Sequence, residues 1–338
     1  MARRYQTRFK TNADTLSVCY DTNEDLFKWL LDNTAYAPLT IHDTKEQEKE
    51  DKKKNYNVII EITPTLHLEF SRIKEDKNPT ELKAIMHFCN YFVGTWKFTN
   101  SKQYEKRAWF TASNFVLYHQ WKGATLLDPP TTIIDLIEAV AGHFNMTFHN
   151  ITDLHIALDT NKNVERTTRA YLSDYENYYL YLRGRNVADP DEIFDDVFEM
   201  ARRSRKRIYK PSLTIQNEGI RVQMYDKTFE QITQGNEKPY IAEVDGFKNI
   251  HRIEVRLRNQ DFQKVIRAYL RMTEQERKKQ FKKMKLNYAP AKLENINVLR
   301  MLEDEKFLTF AWRYLTDQTI YFQDKEGNII TLYDIATA

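Results

Sequence analysis

Two segments with strict period-two alternation limit what this chain can fold into. They are GIRVQMYDKTFE at Gly219–Glu230 and IHRIEVRLR at Ile250–Arg258. Alternation of this kind is typical of strands that bury one face of a sheet. The apolar residues of both segments take that buried face. The opposite face carries eight polar residues, namely Arg221, Gln223, Tyr225, Lys227, Arg252, Glu254, Arg256 and Arg258.

The residue types on this polar face are those that can cut a phosphodiester bond. A tyrosine phenol has an unperturbed pKa of about 10, so it needs a neighbouring base, cation or metal ion to act as a nucleophile. On the predicted strand, Lys227 lies within roughly 7 Å of Tyr225. Glu254 can bind Mg²⁺ or Mn²⁺, and arginines can hold phosphate oxygens. The alternative, a strand pair with ordinary cross-strand charge pairs, stays open.

A third alternating segment, Phe148–Thr160, carries further candidate ligands. His155 and Asp159 fall on one face with the small Ala157 between them, which leaves room for an ion or a phosphate. A lone histidine on a strand is more often a hydrogen-bonded structural residue, so both interpretations stay open.

The whole pattern predicts an α+β fold with a largely antiparallel sheet and helices packed on its apolar face. The runs at 56–62 and 65–71 predict a hairpin, and helical spacing over 82–93 after Pro79 predicts a helix across the sheet. Residues 1–14 read as a mobile arm. We expect a sheet-based catalytic domain over 1–258, with an exposed charged insertion at 42–54, and a mostly helical DNA-binding or supporting region over 259–338.

Local basic clusters supply the expected DNA contacts, because the net charge of the whole chain is only +3. Arg221 and Arg256 border the predicted site. A helix that opens with a capping box at Thr273–Glu276 carries Lys278, Lys279 and Lys282. The densest run consists of Arg202, Arg203, Arg205, Lys206, Arg207 and Lys210. Solvated helix surfaces are the alternative for both clusters.

The remaining composition narrows the class of protein. Cys19 and Cys89 show no pairing pattern and fall in apolar surroundings, which predicts buried free thiols and a reducing, cytoplasmic location. We expect no membrane partner, because no leader and no apolar run of membrane length stand out. Glycine-rich phosphate loops, paired-cysteine zinc spacing and a serine elbow are all missing from the sequence.

Short motifs resemble the Rep_trans-type replication initiation factors, the rolling-circle initiators and related nicking proteins of plasmids, transposons and phages. The family segment R-x-Y-[ND]-K-x-x-E is matched by Tyr225, Asp226, Lys227 and Glu230. The family strands R-[VI]-E-[IV] and hydrophobic-E-F are matched at 252–255 and 68–70, and T-R-L-D-L-A-[FL]-D is matched at Thr152, Leu154, Ala157 and Asp159. The chain departs from the family pattern at Gln223, which replaces an arginine, and at Asp153-Leu154-His155, which replaces R-L-D.

The resemblance implies a tyrosine nuclease. Tyr225 would nick one DNA strand by transesterification and stay linked to the 5′ end, while Lys227 and Arg252 stabilise the phosphoryl oxygens. A divalent ion, Mg²⁺ or Mn²⁺, would be held by Asp159, Glu254, His155 and Glu69. Expected partners are a partly single-stranded origin or nick site, a helicase or other replication protein, and a second copy of the chain. The alternatives are a non-catalytic, sequence-specific DNA-binding regulator on the same fold and a protein-interaction scaffold.

Overall fold

A computed structural model describes most of the chain. The described residues are 8–23, 25–35, 57–71, 79–101, 104, 106–119, 131–182, 184–186, 212–217, 220–235, 238–246, 248–284 and 298–338. The predicted charged insertion at 42–54 and the basic run at 202–210 lie outside these residues.

The fold is α+β, which confirms the predicted class. Its contacts divide the chain into two compact units, one formed by residues 15–153 and the other by residues 1–14 and 154–338. This division does not fall at the expected boundary after residue 258, because the later helices belong to the same unit as the strands that carry Tyr225 and Glu254. What each segment does in DNA binding stays a prediction.

The unit of residues 15–153 is an antiparallel sheet with helices. From β1 the strand order is β1–β6–β5–β4–β3–β2, and every neighbouring pair in this run is antiparallel. Its elements are β1 (Phe9–Asp21, shared with the other unit), α1 (Leu26–Leu30), a π-helical turn (Leu31–Ala35), β2 (Asn57–Thr63), β3 (Leu66–Ser71), β4 (Glu81–Phe88), β5 (Tyr91–Thr99), β6 (Arg107–Ala112), α2 (Asn114–His119), α3 (Ile133–His143) and β7 (Thr147–Thr160, also shared).

The predicted hairpin is confirmed as β2 and β3, whereas the predicted helix over 82–93 is wrong. That segment forms β4 and the start of β5. In β4, Leu82, Ala84, Met86 and Phe88 are buried at every second position, and Ile85 between them is 40% exposed. When the small Ala84 is counted as a buried residue, the buried positions of this segment repeat every two residues. The larger apolar residues alone also fit a helical spacing, which led to the wrong prediction.

The unit of residues 1–14 and 154–338 contains two sheets. In the first, β10, β11 and β12 are antiparallel neighbours and β7 lies beside β12. The second has the antiparallel order β14–β13–β8–β9. The elements after β7 are α4 (Val164–Ser173), β8 (Tyr178–Leu182), β9 (Arg185–Asn186), β10 (Ser212–Asn217), β11 (Ile220–Asp226), α5 (Lys227–Gln234), α6 (Pro239–Asp245), β12 (His251–Arg258), α7 (Asn259–Arg271), α8 (Glu274–Lys283), a 3₁₀ turn (Arg300–Glu303), α9 (Glu305–Thr319), β13 (Ile320–Asp324), β14 (Ile329–Thr331) and α10 (Leu332–Thr337).

Strand β11 turns directly into a helix after Tyr225, so the expectation that Lys227 continues the strand is wrong. Asp226 is the N-cap of α5, and its Oδ1 accepts a hydrogen bond from the Phe229 backbone N–H at 2.8 Å. A capping aspartate satisfies a backbone donor that a new helix leaves open. Lys227 is therefore the first residue of α5.

The capping box between Thr273 and Glu276 is confirmed at the start of α8. Strands β13 and β14 form an antiparallel hairpin, and a 3₁₀ turn precedes α9. Asp304 takes an extended conformation between this turn and the helix and caps α9 through the Lys306 backbone N–H.

Two further expectations are corrected. Residues 9–14 belong to β1 and are not a mobile arm. Cys19 is buried, as expected, but Cys89 is exposed, because it lies in the tight turn between β4 and β5 with a φ of 48°. None of the helices that the structure describes combines the length and apolar character needed to span a bilayer.

Candidate active site

The candidate site lies on three neighbouring strands of one unit, namely β11, β12 and the second half of β7. Tyr225 is directly opposite Arg252 in the antiparallel pair, and Gln223 is directly opposite Glu254. Glu254 is therefore the diagonal cross-strand neighbour of Tyr225, within reach of a long side chain.

Glu254 is the centre of the cluster. The Tyr225 hydroxyl donates a hydrogen bond to Glu254 Oε2 at 2.8 Å. His155 Nδ1 lies 2.9 Å from Glu254 Oε1, and Arg256 Nε lies 3.4 Å from the same oxygen. Both carboxylate oxygens are thus engaged, and the strand alternation that was read from the sequence places these side chains on one face.

Burial controls the proton affinities of this cluster. Tyr225 is 6% exposed and Glu254 is 4% exposed. Burial raises the pKa of the Tyr225 phenol well above its usual value; the charge of Arg252 opposes this rise and that of Glu254 adds to it. Burial alone would also raise the pKa of Glu254, but hydrogen bonds from His155 and Tyr225 and the charge of Arg252 lower it to about 2. At neutral pH the phenol is protonated and the carboxylate is ionised.

Arg252 is held from two sides by acids in a fully buried position. Its Nε and one Nη donate to both oxygens of Asp159, at 2.6 and 2.7 Å. The other Nη donates to Asp14, at the end of the β1 segment that belongs to this unit. The sequence interpretation missed Asp14 because it placed residues 1–14 in an arm. Extending the alternation of β1 backwards was the signal that would have found it.

Two lysines and a second tyrosine complete the surroundings. Lys227 Nζ donates to Glu230 Oε2 at 2.7 Å and lies 5.5 Å from the centre of the Tyr225 ring. Burial and the neighbouring positive charge of Lys227 lower the pKa of Lys238. Burial and the charge of Asp14 raise the pKa of Tyr240 to about 12. Neither Lys238 nor Tyr240 was singled out from the sequence, since both follow α5 in a segment without a motif.

The predicted metal ligands are only partly brought together. His155 and Glu254 are in contact, whereas both oxygens of Asp159 are bound by Arg252, and Glu69 belongs to the other unit, where it lies beside His87. Within the described ranges, no three His, Cys, Asp or Glu side chains are grouped as metal ligands. His155, Asp159 and Glu254 do not form a ligand set in this conformation, and the requirement for a divalent ion stays a prediction.

The predicted DNA-binding residues differ in what surrounds them. Arg221 is directly opposite Arg256, so two cations share one edge of the site. On α8, Lys279 and Lys282 are exposed, and Lys278 pairs with Glu274 at 2.7 Å. Arg277 on the same helix is buried against the Tyr269 ring, with 5.2 Å between its guanidinium carbon and the ring centre.

Comparisons with known proteins found a remote structural similarity. No family model matches this chain, and no curated protein matches it. One solved structure that is similar is the rolling circle replication initiator protein from Geobacillus stearothermophilus, with 14% identity, coverage of 74% of this chain and 75% of that chain, and a TM-score of 0.31. A TM-score this low carries no argument about fold or function, so the interpretation rests on the site itself.

Proposed function

We propose that this protein nicks one strand of DNA by tyrosine transesterification, as an initiator of rolling-circle replication or a related nicking protein. The hydrogen bond of 2.8 Å between the Tyr225 hydroxyl and Glu254 carries the proposal. It holds a potential nucleophile against a buried, ionised carboxylate, and His155 contacts the other oxygen of that carboxylate. The carboxylate fixes the direction of the phenol hydroxyl, and activation of the phenol is left to the nearby cation and to the expected divalent ion.

The reaction exchanges one phosphodiester bond for another. The Tyr225 oxygen bonds to phosphorus and loses its proton, and the bond between phosphorus and the 3′ oxygen breaks. The released 3′ oxygen gains a proton and becomes a hydroxyl, so the reaction has no net change in protons. Because the 5′-phosphotyrosine bond conserves the energy of the broken phosphodiester, the reverse reaction reseals the strand without ATP.

The cations act at different distances from the phenol. Lys227, 5.5 Å from the Tyr225 ring, is suited to stabilise charge on the phosphoryl oxygens. Arg252 is bound by Asp14 and Asp159, so we assign it mainly to holding β12, β7 and the first residues of β1 together beside Tyr225. The divalent ion, the helicase and the second copy of the chain remain expectations of the same proposal.

The burial of Tyr225 favours one alternative, a DNA-binding regulator without catalytic activity. A phenol that is 6% exposed does not meet a phosphorus atom unless neighbouring groups move. If Tyr225 serves only as a structural hydrogen-bond donor, the chain binds DNA through its basic clusters and never cuts it.

The test compares the wild type with Tyr225→Phe on supercoiled DNA and single-stranded oligonucleotides from the protein's own locus. Tyr240→Phe is a matched control, because that tyrosine also feels the charges of Asp14 and Arg252. We expect Tyr225→Phe to lose the covalent protein–DNA adduct on denaturing gels, with nicking reduced by about a thousandfold or more, and Tyr240→Phe to keep both.

Parallel reactions with Mg²⁺, with Mn²⁺ and with a chelator test the divalent ion separately. Nicking that survives in Tyr225→Phe moves the nucleophile elsewhere. Salt-sensitive binding with no nicking under any metal condition favours the regulator.

A further inference from the structure

The smaller sheet presents a row of tyrosines on the face that points away from the core. Tyr179 is directly opposite Gln323, and Tyr181 is directly opposite Tyr321. Because successive side chains of a strand alternate between the two faces, these residues share one face with their neighbours on β9 and β14. We call this surface the tyrosine face, made up of Tyr179, Tyr181, Asn186, Tyr321, Gln323 and Ile329. Thr331, directly opposite Tyr321, is buried where β14 turns into α10 and limits the face at that end.

The opposite face of the same sheet is the packed one. Leu180 and Phe322 are buried there, and Tyr171 of α4 stacks on Phe322 with ring centres 5.3 Å apart. On the tyrosine face, by contrast, Tyr179 is 41% exposed and Ile329 is 58% exposed. The Tyr179 ring is therefore not needed to fill the core, and the rings of Tyr181 and Tyr321 are half-buried.

The rings on the tyrosine face already stack on one another. The Tyr181 and Tyr321 rings are 5.0 Å apart at an angle of 5°. Tyr179 is the diagonal neighbour of Tyr321, roughly 7–8 Å away in antiparallel geometry. Three flat rings at this spacing offer a surface on which consecutive flat groups of a ligand can stack.

We propose that the tyrosine face binds the unpaired bases of a single DNA strand. Every base has a π-face that an aromatic side chain can stack on, and the amides of Gln323 and Asn186 supply donors and acceptors for base edges. The inference deepens the proposed nicking function and rests on it for the biological role, since a nick site must be partly unpaired where the tyrosine reaches its phosphate. It adds a second contact surface on the same unit as Tyr225.

The charges favour unpaired bases over other ligands. The six positions of the tyrosine face carry no charged side chain, so the surface neither attracts duplex phosphates nor repels a strand that lies across it. The outward-facing side of β2, β3 and β4 is a poorer candidate, because Glu61 and Glu69 on it repel phosphate and its Lys83 is paired with Glu81.

The experiment measures binding of a fluorescently labelled thymidine oligonucleotide by anisotropy, at moderate salt and without cleavage. Tyr181→Ala and Tyr321→Ala are compared with Tyr175→Ala, a control tyrosine that is 67% exposed and lies in the turn before β8. We expect each face variant to bind about 5- to 20-fold more weakly than wild type and the control to bind normally. Tyr321→Phe, which keeps the ring, should retain wild-type affinity, and a duplex of equal length should not distinguish the variants.

A second measurement does not depend on how the variants fold. Wild-type protein is irradiated with an oligonucleotide that contains a halogenated uracil, and the cross-linked peptide is identified. Cross-links at residues 179–181 or 321–323 support the proposal.

Equal affinity of Tyr181→Ala and Tyr175→Ala, with cross-links elsewhere, overturns the proposal and leaves the tyrosine face as a surface for another protein. Failure of this proposal is separable from failure of nicking, because Tyr225→Phe loses the adduct while keeping the oligonucleotide affinity.

Discussion

Two glutamates in similar sequence settings have different surroundings in the folded chain. Glu69 in β3 and Glu254 in β12 each lie between apolar residues of an alternating strand, and each lies beside a histidine. The side chains of Glu254 and His155 are 5% and 11% exposed, with 2.9 Å between Oε1 and Nδ1. Those of Glu69 and His87 are 27% and 23% exposed, and their 3.2 Å contact lacks hydrogen-bond geometry.

The difference comes from the layers that cover the strands. Helices α4, α5 and α7 all contact β12, and the Trp312 indole of α9 donates to the Ile253 carbonyl of the same strand. The outward side of β3 carries half-exposed residues such as His67, whose ring stacks on His87. The alternation of a strand therefore predicts which face of the sheet a glutamate side chain lies on. The pKa and the ion pairs of that carboxylate depend on the helices and side chains that pack over the face.

The largest expected effect follows from removing the buried cation of the first cluster. Arg252→Ala leaves Asp14 and Asp159 without their shared guanidinium, and an uncompensated buried charge costs about 3–5 kcal/mol. We expect the free energy of unfolding in urea to fall by that amount. Arg256→Ala is the matched control, since this arginine is 44% exposed and should change stability by less than about 1 kcal/mol. Equal decreases in the free energy of unfolding for Arg252→Ala and Arg256→Ala would contradict the burial of the Arg252 ion pairs.

The second largest effect is the decrease in the free energy of unfolding that protonation of Glu254 causes at low pH. Its pKa is lowered from 4.5 to about 2 in the folded chain, so its contribution is complete above pH 4.5 and is lost as the pH falls towards 2. The full contribution is about 3 kcal/mol, of which about 1.4 kcal/mol is lost by about pH 3.5.

Measuring the free energy of unfolding between about pH 7 and pH 3.5 checks this expectation. Glu254→Gln should lose about 1.4 kcal/mol less than wild type over that range, because the titrating group is gone. Parallel curves for the two proteins would show that Glu254 titrates in the folded chain as it does in the unfolded one.

The smallest expected effect belongs to the exposed pair. Glu69→Gln should change the free energy of unfolding by less than about 1 kcal/mol at neutral pH, because solvent screens a partly exposed ion pair. A loss above about 2 kcal/mol in urea unfolding would mean that the two glutamates are more alike than their exposure indicates.

The sequence predicted the direction of side chains along the strands better than it predicted the burial of those side chains. Period-two alternation correctly placed Tyr225 and Glu254 on one face, because side-chain direction along a strand is a local property. It did not predict their burial, which depends on the helices that pack over the strands, including the distant α4 and α9. The contact of Asp14 with Arg252 was missed for the same reason, as it joins residues 238 positions apart.

Local signals would have corrected one error. An aspartate at 226, followed by a run without strand alternation, matches a helix N-cap, and Lys227 then begins a helix. The motif resemblance drew attention to Tyr225 but could not show whether Asp159 binds a metal ion or an arginine. That choice depends on the distance to Arg252, which no pattern of residue types along the chain contains.

The shared strand β1 has a practical consequence for dissecting the protein by fragment expression. A fragment that begins at Leu154 would keep Tyr225, Glu254 and Arg252 but would lack Asp14, which belongs to the same compact unit. The site is therefore encoded by two separated pieces of the gene. A functional fragment requires those pieces to be rejoined, for example by fusing the first strand to residue 154 through a designed linker.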